Sequence, residues 1–289
     1  MTQRNAIIMA AGTSSRFVPL SVERPKGLVE VKGEILIERQ IRQLKEAGIT
    51  DITLVVGYKA EMFAYLRDKY AVDIVYNEDF ARYNNTSSLI RVIEKLNNTF
   101  ICSSDNYFPE NVFTRESVDS YYSALYAEGK TNEYCLITNA KDQITDVKVG
   151  GHDSWYMVGH VFFNHEFSEK FRKLMIKEYC NETTKQGYWE DLYIRYIDQL
   201  PKMKINRYQE GDIQEFDSLD ELRIFDESYK KDTRSSIVKQ ICKQLEVEEA
   251  CVHAFRNIKH KGNYLQFQFK VYDDVYEYNA ENGIEIKKI

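Results

Sequence analysis

The first hundred residues alternate between short apolar runs and segments with helical periodicity, and this alternation restricts the possible folds more than any other feature. Strands are predicted where apolar runs occur, at residues 7–9, 52–57, 72–77 and 99–105. Helices are predicted between them, over residues 36–44, 61–70 and 86–96, with Thr86 as the N-cap of the last. Such alternation is typical of a parallel sheet with helices on both faces. The sequence therefore predicts the α/β class and a Rossmann-like domain with a mainly parallel sheet.

Two parts of the sequence follow predicted strand ends, where ligands bind in parallel sheets. They are the small-residue stretch 10–16 and Asp105. Small residues let backbone N–H groups approach an anion, and Arg16 offers a planar fork of donors to a phosphate. The stretch lacks the Gly-Lys-Ser/Thr of a P-loop, and a single glycine does not make a dinucleotide fingerprint. Taken alone, it fits a tight turn with a surface arginine equally well.

The residues after Arg16 give the stretch a more specific interpretation. The opening signature of the sugar-phosphate nucleotidyltransferases is matched in register by Ala10-Ala11-Gly12, Arg16, Pro25-Lys26, Val31, Gly33 and Leu36-Ile37-Glu38. The chain therefore resembles that superfamily, which joins an NTP to a phosphorylated small molecule. The resemblance implies that Ala10, Ala11 and Gly12 contact base and ribose, whereas Arg16 and Lys26 hold the triphosphate as catalytic residues. A lysine beside a loop proline is expected at the surface.

Within the superfamily, the chain resembles the bacterial CTP:phosphocholine cytidylyltransferases over about residues 5–229. The segments that carry the resemblance are VGYKAEMFAYL, YNNTSSLI, SSDNYF, TNEYCLIT and EFDSLDEL. It implies a nucleotidyltransferase fold, with CTP and phosphocholine as substrates. The implied nucleotide-binding residues also include Asn84, Asn85, Ser88 and Asp105. The implied acceptor-binding residues are Tyr107, Tyr134, Trp189, Asp191 and Glu215, and Tyr134 keeps an aromatic face where a relative has tryptophan.

The implied chemistry is attack of a phosphate on the α-phosphorus of CTP with loss of pyrophosphate. Both reactants are anionic, so cations and a metal must screen them, and Mg²⁺ prefers carboxylate oxygens. The family pattern assigns Mg²⁺ to Asp105 and Asp217. Each has a structural alternative: Asp105 as a strand-end turn or cap residue, and Asp217 or Ser218 as the cap of the helix that follows.

The acceptor is the part of the chemistry for which the sequence leaves alternatives. A quaternary ammonium cannot donate an N–H hydrogen bond and is bound by aromatic faces, with carboxylates adding charge. The second half of the chain has many aromatics, although any one of them is more often a core residue. Negative charge can come from Glu190, Asp191, Glu215 and Asp217. Phosphoethanolamine, 2-aminoethylphosphonate or a sugar phosphate are alternative acceptors. A catalytically inactive nucleotide-binding relative is a further alternative, against which the retained Arg16 and the other motif residues argue.

The sequence pattern changes after about residue 231. Residues 235–247 predict a helix, and residues 264–289 alternate with period two, with turn signals at Asp273-Asp274 and Asn282-Gly283. We therefore predict a nucleotidyltransferase domain over residues 1–231 and a small α+β appendage over residues 232–289. The appendage faintly resembles the first strands of choline-kinase-type kinases and has no kinase catalytic loop. The sequence leaves two possibilities for this appendage: contact with another subunit in a homo-oligomer, or fusion to a kinase domain.

Composition limits the partners and the compartment. The chain has 289 residues and a formal net charge of −6, which argues against non-specific nucleic-acid binding. It has no apolar stretch of membrane-spanning length and no signal-peptide pattern, which predicts no membrane insertion. Its five scattered cysteines lack metal-ligand spacing and predict reduced thiols in the cytoplasm. The five histidines, which lack metal spacing, are assigned no catalytic role.

Overall fold

The structure is a computed structural model that describes residues 3–114, 117–258, 266–280 and 284–289. By its internal contacts the chain forms two compact units. The first unit comprises Met1–Gly12 and Ile37–Glu215, and the second comprises Thr13–Leu36 and Phe216–Ile289. The predicted domain boundary near residue 231 stays a prediction.

The secondary-structure elements are numbered along the chain. The strands are β1 (Arg4–Ala10), β2 (Glu30–Val31), β3 (Glu34–Ile35), β4 (Asp51–Val56), β5 (Asp73–Tyr76), β6 (Asn98–Ser103), β7 (Asn106–Tyr107), β8 (Tyr121–Thr138), β9 (Ile144–Phe163), β10 (Lys204–Arg207), β11 (Gln214–Glu215), β12 (Val252–Asn257), β13 (Gln266–Val271), β14 (Asp274–Asn279) and β15 (Glu285–Lys288). The α-helices are α1 (Leu20–Glu23), α2 (Leu36–Glu46), α3 (Tyr65–Tyr70), α4 (Thr86–Ile90), α5 (His165–Glu178), α6 (Glu182–Gln186), α7 (Trp189–Arg195), α8 (Leu219–Phe225), α9 (Ser228–Lys231) and α10 (Ser236–Leu245).

The first unit is built on a seven-stranded sheet in the order β10-β8-β9-β6-β1-β4-β5. Strands β6, β1, β4 and β5 run parallel, as do β10 and β8, whereas β9 is antiparallel to both β6 and β8. The predicted α/β class and the mainly parallel sheet are therefore confirmed. Ala6, Ile7 and Ile8 of β1 are all buried. This explains why the strand is an uninterrupted apolar run, since a central parallel strand is covered on both faces.

Two helical predictions needed correction. Residues 61–70 do not form one helix, because a 3₁₀ turn (Ala60–Phe63) precedes α3. Thr86 is not an N-cap but the first residue of the short helix α4, and its hydroxyl donates to the carbonyl of Gly187 (2.7 Å). The predicted helix over residues 86–96 is likewise interrupted, since α4 ends at Ile90.

The long antiparallel strands β8 and β9 were not predicted, because they lie beyond the alternating first hundred residues. Aromatic side chains from β9, α5 and α7 form the centre of the core of the first unit. The ring of Phe163 lies 4.4 Å from Phe167 and 5.3 Å from Phe171, measured between centroids. This cluster anchors α7, whose first turn carries several residues of the candidate site.

The second unit contains the β2–β3 hairpin, the helices α8, α9 and α10, and an antiparallel sheet in the order β12-β13-β14-β15. The predicted helix and the period-two strand are confirmed, with Phe267, Phe269 and Val271 buried on one face. Strand β12 was not predicted. Three residues and one predicted turn lie outside the described residues: Tyr264, Leu265, His260 and the Asn282-Gly283 turn.

The structure also describes the cysteines and the apolar character of the helices. All five cysteines are free thiols. None of the helices in the described ranges has both the length and the apolar character needed to cross a bilayer.

Candidate active site

Small residues at the end of β1 allow close packing in the first unit. The carbonyl of Ala11 accepts a hydrogen bond from the backbone N–H of Tyr58 (3.1 Å). A Cβ at Gly57 would lie 2.9 Å from that carbonyl and 2.6 Å from the Cβ of Phe80, so only glycine fits there. Ala10 and Ala11 are buried, whereas Gly12 is exposed. Small residues in this stretch are therefore explained in part by close local packing.

A cluster of two cations and one carboxylate, formed by Arg16, Lys26 and Asp217, lies in the second unit. Arg16 is in a 3₁₀ turn (Ser15–Phe17), and its guanidinium is 2.6 Å from Asp217 Oδ2. Lys26 Nζ is 3.7 Å from Asp217 Oδ1. The structure thus brings Asp217, the implied metal ligand, next to the two cations that the sequence analysis assigned to the triphosphate. We call these three residues the cationic cluster.

The two cations of this cluster differ in exposure. The side chain of Arg16 is 76% exposed, whereas that of Lys26 is only 6% exposed. The expectation that Lys26 is a surface residue was therefore wrong. Its Nζ lies 5.7 Å from the ring centroid of Phe17, so an aromatic face and a carboxylate together compensate the buried charge.

Asp217 is not the cap of the helix that follows it. The N-cap of α8 is Ser218, whose hydroxyl accepts from the backbone N–H of Glu221 (3.2 Å). The backbone N–H of Asp217 donates to the carboxylate of Glu221 (2.8 Å). The capping alternative thus applies to Ser218, and the carboxylate of Asp217 faces the two cations.

Asp105 belongs to the first unit, where it occupies the tight turn between β6 and β7. The preceding residue, Ser104, donates its backbone N–H to the carbonyl of Met9 (3.1 Å), which ties the turn to β1. On the other side, β7 pairs with β11, and Asn106 Nδ2 donates to Glu215 Oε2 (3.4 Å). The turn and the neighbouring strand β11 therefore present two carboxylates, Asp105 partly exposed and Glu215 exposed.

Tyr107, in contrast, offers little surface to a substrate. Its side chain is buried, and the guanidinium of Arg39 lies 4.7 Å from its ring centroid. Trp189 is also a core residue. It is 3% exposed, and its ring packs edge-on against Phe163 and Phe171. The structure therefore gives both rings a packing function rather than an open face.

The residues Asn84, Asn85 and Ser88 belong to an internal hydrogen-bond network. The hydroxyl of Ser88 is buried and accepts from Asn77 Nδ2 (3.0 Å). Asn85 bonds to the first turn of α7 through both ends of its amide. Its Oδ1 accepts from the backbone N–H of Trp189 (2.9 Å), and its Nδ2 donates to Glu190 Oε2 (3.1 Å).

The sequence analysis named Glu190 only as a source of negative charge and did not select it, or its partner Tyr122, as a site residue. The hydroxyl of Tyr122 donates to Glu190 Oε1 (3.1 Å). Burial raises the pKa of Glu190 to about 7, against the opposing effect of its hydrogen bonds, and the neighbouring Asp191 raises it further. No short-range signal marks this pair, because the two residues are 68 positions apart.

Tyr134 and Asp191, which the sequence analysis named separately as acceptor-binding residues, lie together in the structure. The hydroxyl of Tyr134 donates to Asp191 Oδ1 (2.9 Å), and the backbone N–H of Tyr188 donates to Oδ2 (2.8 Å). Burial and, after it, this hydrogen bond raise the pKa of Tyr134, so the phenol stays protonated. Tyr188 is exposed, and it lines a pocket of about 320 Å³ with Asp191. The rest of the lining is Thr183, Thr184, Gln186, Gly187, Leu192 and Arg195.

Comparison with known proteins decides the family. Residues 6–139 match the model of the MobA-like NTP transferase domain. The choline-phosphate cytidylyltransferase of Streptococcus pneumoniae is 35% identical over 227 residues, which is 78% of this chain and 99% of that protein. The chain belongs to the family of bacterial choline-phosphate cytidylyltransferases.

Other relatives define the breadth of this family. The 2-aminoethylphosphonate cytidylyltransferase of Lancefieldella rimae is 34% identical over 229 residues, or 78% of this chain and 93% of that protein. The solved structure of the CTP:phosphocholine cytidylyltransferase from S. pneumoniae superposes with a TM-score of 0.75 at 35% identity, over 78% of this chain and 99% of that one. The chain is thus a nucleotidyltransferase enzyme with the nucleotidyltransferase fold.

Proposed function

We propose that this cytidylyltransferase transfers CMP from CTP to phosphocholine, with CDP-choline and pyrophosphate as products. The observation that carries the proposal is the cationic cluster, in a chain that is 35% identical to a choline-phosphate cytidylyltransferase. A phosphate oxygen of the acceptor attacks the α-phosphorus of CTP, and the bond from that phosphorus to the pyrophosphate oxygen breaks. The protein has to position two anions and neutralise their charge, and no covalent intermediate is needed.

The cationic cluster suits the triphosphate because its two cations have complementary properties. Lys26 is buried beside Asp217 and provides a charge at a fixed position, whereas Arg16 is exposed and can follow the phosphate. Asp217 holds both cations before the nucleotide binds. When the triphosphate arrives, Arg16 can exchange a carboxylate partner for a phosphate partner without crossing a buried region.

Magnesium is part of the proposal, with Asp105 and Asp217 as its protein ligands. The donors fit the ion, because both are carboxylates and Mg²⁺ takes one or two carboxylates with water and substrate phosphates. Within the described residues, no group of three or more His, Cys, Asp or Glu forms a ready-made metal site. Bound Mg²⁺ would reduce the negative charge on the phosphates at the reacting phosphorus.

We propose Tyr134, Tyr188 and Asp191 as the residues that hold the trimethylammonium group. Tyr188 is exposed, and Tyr134 is partly exposed and held in place by its bond to Asp191. Aromatic faces attract a cation that has no N–H to donate, and the carboxylate adds opposite charge. Trp189 is left out of this group because its ring is buried in the core.

A second candidate acceptor is 2-aminoethylphosphonate. A relative that is 34% identical carries that substrate in its name, and the pocket beside Asp191 includes acceptors for N–H donors, such as Gln186 and Thr183. A primary ammonium needs such acceptors, whereas a trimethylammonium does not use them. The pocket therefore also suits an acceptor with a primary ammonium group.

The test is pyrophosphate release by the full chain with each of the four NTPs and a panel of acceptors. The panel contains phosphocholine, phosphoethanolamine, 2-aminoethylphosphonate and glucose 1-phosphate, each with Mg²⁺ and with a chelator. We expect CTP with phosphocholine to give the highest kcat/KM, and the chelator to abolish turnover. A higher kcat/KM for 2-aminoethylphosphonate than for phosphocholine would make the phosphonate the acceptor. Undiminished turnover with the chelator would show that the reaction does not need Mg²⁺.

We also propose a cytoplasmic location, assembly as a homo-oligomer and fusion to a kinase domain. Free thiols at all five cysteines support the prediction of a reducing compartment such as the cytoplasm. Assembly as a homo-oligomer and fusion to a kinase domain are predictions from the sequence of residues 232–289.

A further inference from the structure

The loop that contains Asn84 and Asn85 is attached to the segment that leads into α7. Four hydrogen bonds join them: Asn84 N to Lys185 O (3.2 Å), Thr86 Oγ1 to Gly187 O (2.7 Å), Trp189 N to Asn85 Oδ1 (2.9 Å) and Asn85 Nδ2 to Glu190 Oε2 (3.1 Å). Three of the four use a backbone atom of residues 185–189. The bond to Glu190 is the one of the four between two side chains, so substitution can remove it without touching the backbone.

The carboxylate of Glu190 has a different partner on each oxygen. Oε2 accepts from Asn85 and Oε1 accepts from Tyr122, whose ring stacks on Trp189 at 5.9 Å between centroids. Both partners donate, so a carboxylate satisfies them at once, and each bond is strengthened by its charge. Tyr122 is buried in the sheet, on β8, and is a rigid support for the carboxylate.

We propose that Glu190 is a positioning residue that holds the side chain of Asn85, and with it the Asn84–Asn85 loop, in the orientation that binds the nucleotide. The proposal rests on the nucleotide-binding function inferred for Asn85. Support passes from the sheet to the loop through Tyr122 and Glu190. Glu190 itself touches no substrate in this account, and it acts through Asn85.

The neighbouring side chains explain why an amide can replace the acid. In Glu190→Gln, the amide oxygen accepts from Asn85, and the amide nitrogen donates to Tyr122, whose hydroxyl oxygen can accept. Glu190→Ala removes both bonds and leaves the amide of Asn85 without its partner. The charged and titratable groups that interact with the carboxylate are Asp191 on the same helix and Tyr122 and Tyr134 on β8. Burial raises the pKa of Tyr122, and Glu190 and, more weakly, Glu215 on β11 add to this effect.

The test combines hydrogen–deuterium exchange with direct CTP binding, on the full chain without acceptor. Five variants are compared with wild type: Glu190→Ala, Glu190→Gln, Asn85→Ala, Tyr122→Phe and the double variant of Glu190→Ala with Asn85→Ala. The matched control is Glu182→Ala, because Glu182 also accepts from a tyrosine hydroxyl, that of Tyr83 (3.3 Å), at an exposed position of α6.

We expect faster exchange of residues 84–88 in Glu190→Ala and, to a smaller extent, in Tyr122→Phe. Glu190→Gln and the control should exchange like wild type. The dissociation constant for CTP should rise about 10-fold in Glu190→Ala, the scale of one charge-assisted hydrogen bond. Asn85→Ala should have a similar effect, and the double variant should be no worse than Asn85→Ala, because both changes remove the same contact.

Unchanged exchange of residues 84–88 in Glu190→Ala would overturn the proposal, as would an additive rise of about 10²-fold in the double variant. If Glu190→Ala does not fold, Tyr122→Phe decides the question by the same exchange readout. A wild-type chain that binds no nucleotide would instead refute the proposed function, and the exchange comparison would still decide whether Glu190 holds the loop.

Discussion

The two units each contain a carboxylate held by two donors, but the donors differ in charge. Asp217 in the second unit faces Arg16 and Lys26, which are full cations. Glu190 in the first unit faces Tyr122 and Asn85, which are neutral. A carboxylate among cations has its charge neutralised by ion pairing. One among neutral donors has only hydrogen bonds to offset its burial, and the pKa of Glu190 is accordingly raised to about 7.

The different charges of their donors indicate different functions for the two carboxylates. The cationic cluster has an excess of positive charge and one highly exposed member, so it suits an anionic ligand that arrives and leaves. The Glu190 group has no cation and lies between elements of the core, so it suits the support of a loop. The comparison predicts that changes in the cationic cluster affect catalysis strongly, whereas changes around Glu190 affect binding and stability.

The largest effect is expected from Asp217→Asn. This change keeps the size of the side chain and removes the charge that pairs with Arg16 and Lys26 and is the proposed metal ligand. We expect kcat to fall more than about 10²-fold, the scale of losing a key electrostatic stabiliser. The control is Asp232→Asn, which breaks the exposed ion pair with Lys239 in the same unit (2.9 Å). A near-normal kcat for Asp217→Asn at saturating Mg²⁺ would remove this carboxylate from the reaction.

Lys26→Met should have the next largest effect, because methionine keeps the buried aliphatic chain and removes only the ammonium. We expect KM for CTP to rise by about 10-fold or more while KM for the acceptor stays within about twofold. Thermal unfolding should remain cooperative, since Asp217 keeps its ion pair with Arg16. If the unfolding temperature falls sharply while KM for CTP is unchanged, Lys26 has a purely structural function.

Tyr134→Ala should reduce acceptor discrimination. Loss of the aromatic face should lower the preference for phosphocholine over phosphoethanolamine by up to about 10-fold, through a higher KM for phosphocholine. Tyr134→Trp should retain the preference. Tyr126→Ala is the matched control, because Tyr126 is an exposed tyrosine on the same strand and packs against Trp155. An unchanged preference in Tyr134→Ala would exclude this ring from the ammonium site.

The smallest effect concerns the pH dependence of stability. Folding raises the pKa of Glu190 from 4.5 to about 7, so the folded state binds more protons than the unfolded state between these values. The wild type should therefore lose stability relative to Glu190→Gln as the pH rises from about 4.5 to 7. A shift of about 2.5 pH units corresponds to about 3.5 kcal/mol at about 1.4 kcal/mol per unit, and the partial exposure of the side chain reduces the expected change to about 1 kcal/mol. Denaturant unfolding across this range gives the difference, and parallel pH profiles would contradict the raised pKa.

The three residues of the cationic cluster could be named from the sequence because each lies in a short motif, but their ion pairing was not predicted. Arg16 and Lys26 lie ten residues apart in one signature, and Asp217 has its own short motif. What could not be predicted is the burial of Lys26, since that depends on the packing of Phe17 and on the pairing with a carboxylate from a distant segment. The parallel part of the sheet could also be predicted from the sequence, because its buried strands are uninterrupted apolar runs.

The Glu190 group could not be predicted for the opposite reason. Its members come from the loop before α4, from β8 and from α7. The family motif marks Asn85, but no local signal indicates that Asn85 and Tyr122 both bond to Glu190. The burial of Trp189 has the same origin, because a sequence gives an aromatic residue but not the direction in which its ring points. Long-range packing decides whether such a residue is buried in the core or available to a ligand, and β8 and β9, which contribute to this core, were not predicted.

The most direct test of the central claim is phosphorus NMR of one reaction that contains the full chain, CTP, phosphocholine and Mg²⁺. The account predicts that CDP-choline and pyrophosphate appear in equal amounts, only when both substrates are present, and that Asp217→Asn suppresses both signals together. Pyrophosphate formed from CTP without an acceptor, or a wild-type chain that forms neither product, would contradict it.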